Sequence, residues 1–562
     1  MKTITQLKKR LAVPQTSWQL CLLAAIGGFA SALLVVLFIY TIEGIQSFFL
    51  PKKDDYSSIS ALSRFQLPII GAVVILLFAW LTGYKYIRSG IPFVLHRLKV
   101  ANGVMPFRNT VNQFIGSAAA LAAGFSVGRE GPAVHLGAAC SSYFANRLNL
   151  PYNTIRSLSA CGIAAGISAC FNTPIAAVLF VMEVILREYK VHIFIPVMIA
   201  ALVGSMTTSS IFGLSHEFGH FTAIILNIDH YIVLAILGIV LGVFAFIFNH
   251  NLILVIKYSA RFHPVPRILT AALITSSLGY VMPYAMGTDL SAINFSLQNS
   301  LELQLLLGLL VAKVLMTIFA LGLGIPGGII GPILGIGAIA GTCGFVVASY
   351  FVDGNISASD FALMGMAGFM AATLNAPLAA LLCVVEMSNQ IEIIVPAMIV
   401  ITSACVFSGQ FLGNRSIFIL QLEIQGLPYR QPPIEKFLQR IGVIGVMDEH
   451  ITLLRQVDDK TVSIALSKRK PQDNIIRQIK RPGEKTQFIF YQQSMTDIDA
   501  QPTLKKHTLI PLCSQSTLTE AYLLLMKKRT GGVYIYQDNP DEIMGIITFD
   551  YISAYLLKGK TN

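Results

Sequence analysis

Three short turns in this chain combine glycine, proline and a following apolar segment in a way that suits a small anion. They are "RSGIP" at 88–92, "GREGP" at 128–132 and "GGIIGP" at 327–332. Glycine permits close backbone approach, and proline fits the first turn of a helix. A helix starting there leaves backbone N–H groups without intrahelical partners, at the end of the macrodipole that favours negative charge. Several such starts converging in an apolar interior would replace much of an anion's hydration. They would do so without a full positive charge, which would hold the ion too tightly to let it pass. The middle turn adds Arg129 and Glu130. A carboxylate is itself an anion, so the Glu130 side chain can occupy a site built for anions and leave it on protonation, which desolvation favours. The competing reading is a structural ion pair with Arg129, although adjacent residues on a helix do not face each other. Arg129 is expected to hold the loop more than the ion.

A different chemistry is written at 216–220, where "HEFGH" matches the zinc protease pattern of two histidines one helical turn apart with a glutamate between them. The stretch carries an internal glycine, lacks a clear third ligand and falls at a joint in the chain. It reads as a polar loop, which leaves an intramembrane zinc protease as a remote alternative and no metal as the expectation. His135, one turn beyond Glu130, reads as a packing residue that could tune it.

The elements that must position these residues are membrane helices. Of 562 residues 54% are hydrophobic and 12% charged, more apolar surface than a soluble globule of this size buries. Apolar runs long enough to cross the hydrocarbon recur from residue 18 to about 413, and other runs are short or broken by glycine. Non-helical backbone at membrane depth is tolerated where it lines a cavity, so the broken runs point to a site. The formal charge of +12 is read as positive-inside loops and a basic tail, with no nucleic-acid partner. Lys8, Lys9 and Arg10 favour an N-terminus on the cytoplasmic side, and no cleavable signal is evident.

Internal repetition organises this part. "CGIAAGISACFNTPIAAVLFVMEV" (161–184) lies over "MGMAGFMAATLNAPLAALLCVVEM" (364–387), with Asn172 on Asn375, Pro174 on Pro377 and Glu183 on Glu386. The membrane part, 1–428, is thus read as two related halves, about 18–213 and 231–425; periodicity does not say whether they are parallel or inverted. Glu183 and Glu386 are expected to share a structural role, accepting hydrogen bonds from buried backbone. Beyond "GLPYRQPP" the spans stop. From about 508 to 558 the pattern reads strand, helix, strand, strand, helix, and 441–495 reads as a degenerate copy. The region 429–562 is therefore expected to be a cytoplasmic α/β regulatory domain.

With "SGIP", "GREGP" and "GGIIGP" in this order, and "FNTPIAAVLFVMEV" between the last two, the membrane part resembles the CLC chloride channel and transporter family. The tail resembles the paired CBS domains that many members carry. The resemblance implies an all-α membrane domain of two inverted repeats, a homodimer in the lipid bilayer and a separate chloride path in each subunit. It places Ser89, with Gly90 and Ile91, Arg129 and Gly131, and the backbone of Ile329 and Ile330 around the anion, with Glu130 as the gate. Phe418 falls where most members have an anion-contacting tyrosine. Val184 falls where exchanging members have a second glutamate that passes protons, and Leu95 and Gln113 replace an acid and a lysine that assist it. On these departures a passive, proton-gated chloride channel is favoured, with a coupled chloride/proton antiporter using a water-mediated inner route as the alternative. In the tail, Thr548 and Asp550 are candidates for an adenine nucleotide, although Tyr551 stands where a ribose-binding acid is usual. A bacterial inner membrane, with both termini cytoplasmic, is the expected location.

Overall fold

The computed structural model describes residues 2–84, 90–213, 228–296, 302–351, 357–427, 429, 432–467, 474–480, 486–494 and 503–558. Its contacts divide the chain into two compact units, one of Met1–Leu20, Ala145–Ile155 and Arg430–Asn562, the other of Cys21–Phe144 and Arg156–Tyr429. This differs from a single cut at 428. The helix Lys2–Ala12 (α1) and the segment 145–155 join the tail through hydrogen bonds. Gly442 N–H donates to the Ala12 carbonyl at 2.8 Å, and Tyr152 N–H donates to that of Gln515 at 2.8 Å.

The helical unit runs in two series. The first is Trp18–Gln46 (α2), Ala61–Thr82 (α3), Gly90–Val100 (α4), Phe107–Ala122 (α5), Glu130–Arg147 (α6), Tyr152–Phe171 (α7), Pro174–Phe180 (α8) and Val191–Phe212 (α9). The second is Ile228–Ser259 (α10), Pro264–Val281 (α11), Asp289–Ser296 (α12), Leu303–Leu323 (α13), Ile330–Ala348 (α14), Ala358–Leu374 (α15), Pro377–Ser388 (α16) and Ile394–Val406 (α17), followed by Ile417–Ile424 (α18). Among the described residues, eight helices are long and apolar enough to cross a membrane. The helices that open on the glycine turns include ones too short to do so.

Local sequence explains the matching breaks. Asn172 after α7 and Asn375 after α15 both adopt left-handed backbone, at φ 57° and 54°, the conformation that ends a helix and that asparagine tolerates best after glycine. Pro174 and Pro377 then open α8 and α16, where a missing N–H costs nothing. Packing of α6 on α7 and of α14 on α15 depends on the absence of side chains. A methyl on Gly137 or Gly162 would collide with the other's carbonyl oxygen, and the same holds for Gly365 against Gly337. Small residues bring helix backbones into van der Waals range where lipid offers no hydrophobic drive.

Contacts between the halves are reciprocal. The Glu183 carboxylate accepts from the N–H groups of Leu378 and Ala379 at 3.3 and 2.7 Å, and Glu386 accepts from Ile175 and Ala176 at 3.0 and 2.7 Å. Each glutamate thus satisfies the first turn of the other half's helix, the shared backbone-accepting role expected of the pair. Gly128 and Gly328 exchange both backbone hydrogen bonds, at 2.8 and 2.7 Å, in an antiparallel bridge. Equivalent residues that contact each other's surroundings in this way are related by a local two-fold axis, the internal form of an isologous interface.

In the other unit, Ile451–Arg455 (β1), Asn474–Ile479 (β2), Gln487–Ser494 (β3) and Thr503–Thr508 (β4) form one sheet in that order. Ile510–Cys513 (β5), Gly532–Tyr536 (β6) and Gly545–Thr548 (β7) form another. β5 runs parallel to β6 through the helix Leu518–Leu525, and β6 pairs antiparallel with β7 ahead of the helix Phe549–Lys558. β1, β2 and β3 repeat that pattern, with the helix Asp459–Ser467 between the parallel pair.

Candidate anion site

The three glycine turns meet. A cavity of about 420 Å³ is lined by Gly90 and Ile91 of α4, Gly131 of α6, Gly328 and Ile329 before α14, and Phe418 of α18. Three helix starts therefore face one space, and their N-terminal dipoles all favour a negative occupant. Gly131 packs so closely on the opposite turn that a methyl there would stand 2.7 Å from the Gly328 Cα. Only bare backbone brings the start of α6 and the approach to α14 this near to each other. Ile329 and Ile330 are buried, and α14 begins at Ile330, so their amides belong to the turn whose donors have no partner within the helix.

Glu130 is the first residue of α6 and is 2% exposed. Its carboxylate is folded back over the turn between the halves. A methyl on Gly128 would collide with it, and one on Gly328 would lie 2.7 Å from its Oε2. A buried carboxylate is thus held at the positive end of a helix, beside a space suited to an anion. Arg129 is turned elsewhere. Its guanidinium lies over the Phe171 ring, 5.8 Å from the centroid, and lines a second cavity of about 210 Å³ with Asn172, Glu43 and Lys53. A cation over an aromatic face is held by the ring quadrupole.

Gly90 lines the cavity, but its N–H donates to Oε1 of Gln113 at 2.9 Å, and the Gln113 amide donates to Ser117 Oγ at 2.5 Å. The amide side chain on α5 therefore caps α4, and this donor is already engaged. Leu95 is buried on α4. Ser89 and the "HEFGH" stretch lie outside the described residues. Phe418 is 2% exposed and lines the cavity with a side chain that carries no hydrogen-bonding group. Val184 is buried in the π-helical extension Val181–Leu186 of α8. His135 is fully buried, with Nε2 3.4 Å from Thr110 Oγ1 and its ring stacked on Phe93.

Two basic groups escaped the sequence reading. Arg267 of α11 lines the larger cavity and donates from Nε to the Leu323 carbonyl at 3.2 Å. Lys313 is fully buried in α13 and donates to the carbonyls of Ala285 and Gly287 at 3.3 and 3.2 Å. A lone lysine in "LLLGLLVAKVLMTIFALGL" was signal enough, because an ionisable residue inside a span marks either a partner or a function. In the other unit, Thr548 Oγ1 accepts from the Tyr551 N–H at 3.2 Å, and Asp550 sits in the first turn of the last helix. The Thr548 hydroxyl thus serves as a helix cap.

With this geometry in view, the profile described as "voltage gated chloride channel" matches residues 70–409. The chain belongs to that family. Among its relatives, the H(+)/Cl(-) exchange transporter ClcA of Vibrio cholerae is 29% identical over 344 residues, covering 59% of this chain and 72% of that protein. ClcA of Citrobacter koseri is 27% identical over 437 residues, covering 73% and 90%. Of solved structures, a slow cyanobacterial Cl-/H+ antiporter superposes with a TM-score of 0.63 at 22% identity, covering 72% of this chain and 98% of that one. A eukaryotic CLC transporter superposes at 0.60 and 17% identity, covering 95% and 98%. These structural likenesses establish the CLC fold, an all-α domain of two inverted repeats with an α/β region after it. Membership also places the chain among integral membrane proteins and outside the enzymes.

Proposed function

We propose that this family member transports chloride across the membrane in exchange for protons, with Glu130 as the group that both competes with chloride and carries the proton. The observation that carries the reading is the Glu130 carboxylate, buried at the start of α6 and lying over the opposite turn, next to Gly131, which lines the cavity where three helices begin. In its charged form it fills a seat made for an anion, and on protonation it gives up its claim to that seat. The relatives named as exchangers support coupled movement over the passive flow that Val184 favours.

Within this reading chloride sits among Ser89, Ile91 and the backbone of Ile329 and Ile330, beside Phe418. Two subunits form a dimer with one path in each. The location is a bacterial inner membrane with both termini cytoplasmic, and the tail is a CBS-like regulatory module. A second reading, a passive channel gated by Glu130, rests on one feature: a buried valine at 184, with Leu95 and Gln113 beside the same route, offers no carboxylate to pass protons inward. Exchange therefore requires water to reach Glu130 from the cytoplasmic side.

The test is Glu130→Gln in reconstituted vesicles. Glutamine cannot carry the proton, so chloride flux should persist without acid activation, and proton movement should stop. Acid activation as steep as in the wild type would contradict the role given to Glu130 under both readings.

A further inference from the structure

The loop between α2 and α3 contains a carboxylate that the transport scheme does not use. Asp54 is 4% exposed and left-handed at φ 59°. Its carboxylate accepts from the N–H of Thr288 at 3.0 Å and from the Thr288 hydroxyl at 2.5 Å, while its backbone carbonyl accepts from Ser291 Oγ at 2.6 Å. Two residues on, the Tyr56 hydroxyl donates to the carbonyls at the end of α5, 2.9 Å from Leu121 and 3.0 Å from Ala122. The loop therefore grips the second half of the protein with one residue and the end of α5 with another.

Where these grips meet, the two halves are tied directly. Gly287 N–H donates to the Gly124 carbonyl at 3.0 Å, and both glycines are left-handed, at φ 72° and 81°. A methyl on Gly287 would collide with Asp54 Oδ1, and one on Gly124 would stand 2.9 Å from the Tyr56 ring. Lys313 holds the Gly287 carbonyl from α13. One turn along α13, Thr317 Oγ1 lies 2.9 Å from Ser126 Oγ. The charged groups that face Asp54 are Lys313 from α13 and Arg129 from the turn before α6. The stretch 124–129, which leads straight into Glu130, is thus anchored at Gly124, Ser126 and Gly128, each time to the opposite half.

We infer that Asp54 is a positioning residue for the Glu130 seat. It fixes Gly287 and Thr288, they fix Gly124, and the stretch 124–129 is thereby held in the place that lays the Glu130 carboxylate against Gly328. The inference rests on Glu130 being the proton-sensitive gate. Releasing the anchor makes the seat less well formed for the carboxylate, so less acid is needed to vacate it.

The experiment measures chloride efflux from vesicles against pH for the wild type, Asp54→Ala, Thr288→Val, and each variant combined with Glu130→Gln. The midpoint of acid activation should move upward by about half a unit or more in Asp54→Ala, the shift that a roughly threefold loss of seat occupancy gives. Thr288→Val, which removes only one donor, should move it less and in the same direction, and it answers the question should the alanine variant not fold. In the Glu130→Gln background neither substitution should change the profile. Unshifted midpoints in both single variants, or shifts that survive without Glu130, would overturn the inference. A wild type with no acid activation would instead sink the role of Glu130 itself.

Discussion

Side chains at this site act chiefly through what they do to backbone. In the proposed scheme Glu130 competes with chloride for a seat that glycines keep open, and Phe418, which lines the cavity, offers it no hydroxyl. Phe418→Tyr is expected to tighten chloride binding by roughly 0.5–1.5 kcal/mol, the net worth of one added hydrogen bond, read by titration calorimetry of purified protein. An unchanged affinity would show that position 418 does not reach the ion. Asp54 gives a pH signature of its own. Burial holds its carboxyl above the ordinary value, against the pull of the Thr288 hydrogen bonds, Lys313 and Arg129. The folded protein then binds more protons there than the unfolded chain, so this group's contribution is full below the ordinary carboxylate range and is lost as pH rises through the raised value. Asp54→Asn, neutral throughout, should flatten the fall of melting temperature over that window, and an identical fall would contradict the assignment. Glu130 and the three turns were legible in the sequence because glycine, proline and a charge in an apolar run are local signals. Asp54 and Arg267 were not, because a charged residue in a loop or near a helix start gains its meaning only from what the fold brings against it.

At the scale of elements, where a helix starts matters more than whether it spans. α4, α6 and α14 begin where the cavity lies, and their starts are held by partners from other elements: Gln113 for α4, and Gly128 with Gly328 for the turns before α6 and α14. Glu183 and Glu386 perform the same service for α16 and α8. Replacing Glu183 by alanine leaves the N–H groups of Leu378 and Ala379 without that acceptor; Ala379 is buried, and an unsatisfied buried donor costs about 1–3 kcal/mol. Thermal unfolding in detergent should show a clear loss for Glu183→Ala and a smaller one for Glu183→Gln, which keeps one acceptor oxygen. Equal stability of all three proteins would show that these bonds contribute nothing. The constant offset between the halves displayed the equivalence of the two glutamates, and their structural role could be anticipated from it. That each serves the other half, not its own, could not be read there, since sequence offset carries no information about which copy a side chain faces.

For the whole molecule, the central fact is a two-fold relation between halves whose matching turns meet at one cavity. Only one of the two turns carries a carboxylate: Glu130 stands in "GREGP", while its counterpart "GIIGP" has none. A symmetric frame thus holds a carboxylate on one side only, the asymmetry that the proposed proton-sensitive gate requires. The tail, in one unit with α1 and 145–155, contains one small strand–helix–strand–strand arrangement twice. The inclusion of α1 in that unit was invisible in sequence because its contacts, such as Gly442 N–H to the Ala12 carbonyl, join residues far apart in the chain. Whether protons move with chloride is the claim on which the account turns. The most direct test is the reversal potential of purified protein in liposomes under a fixed chloride gradient, with and without an opposing pH gradient. Coupled exchange predicts a potential displaced by the pH gradient. A potential that follows chloride alone would contradict exchange and mark the buried valine at 184 as the sign of a channel.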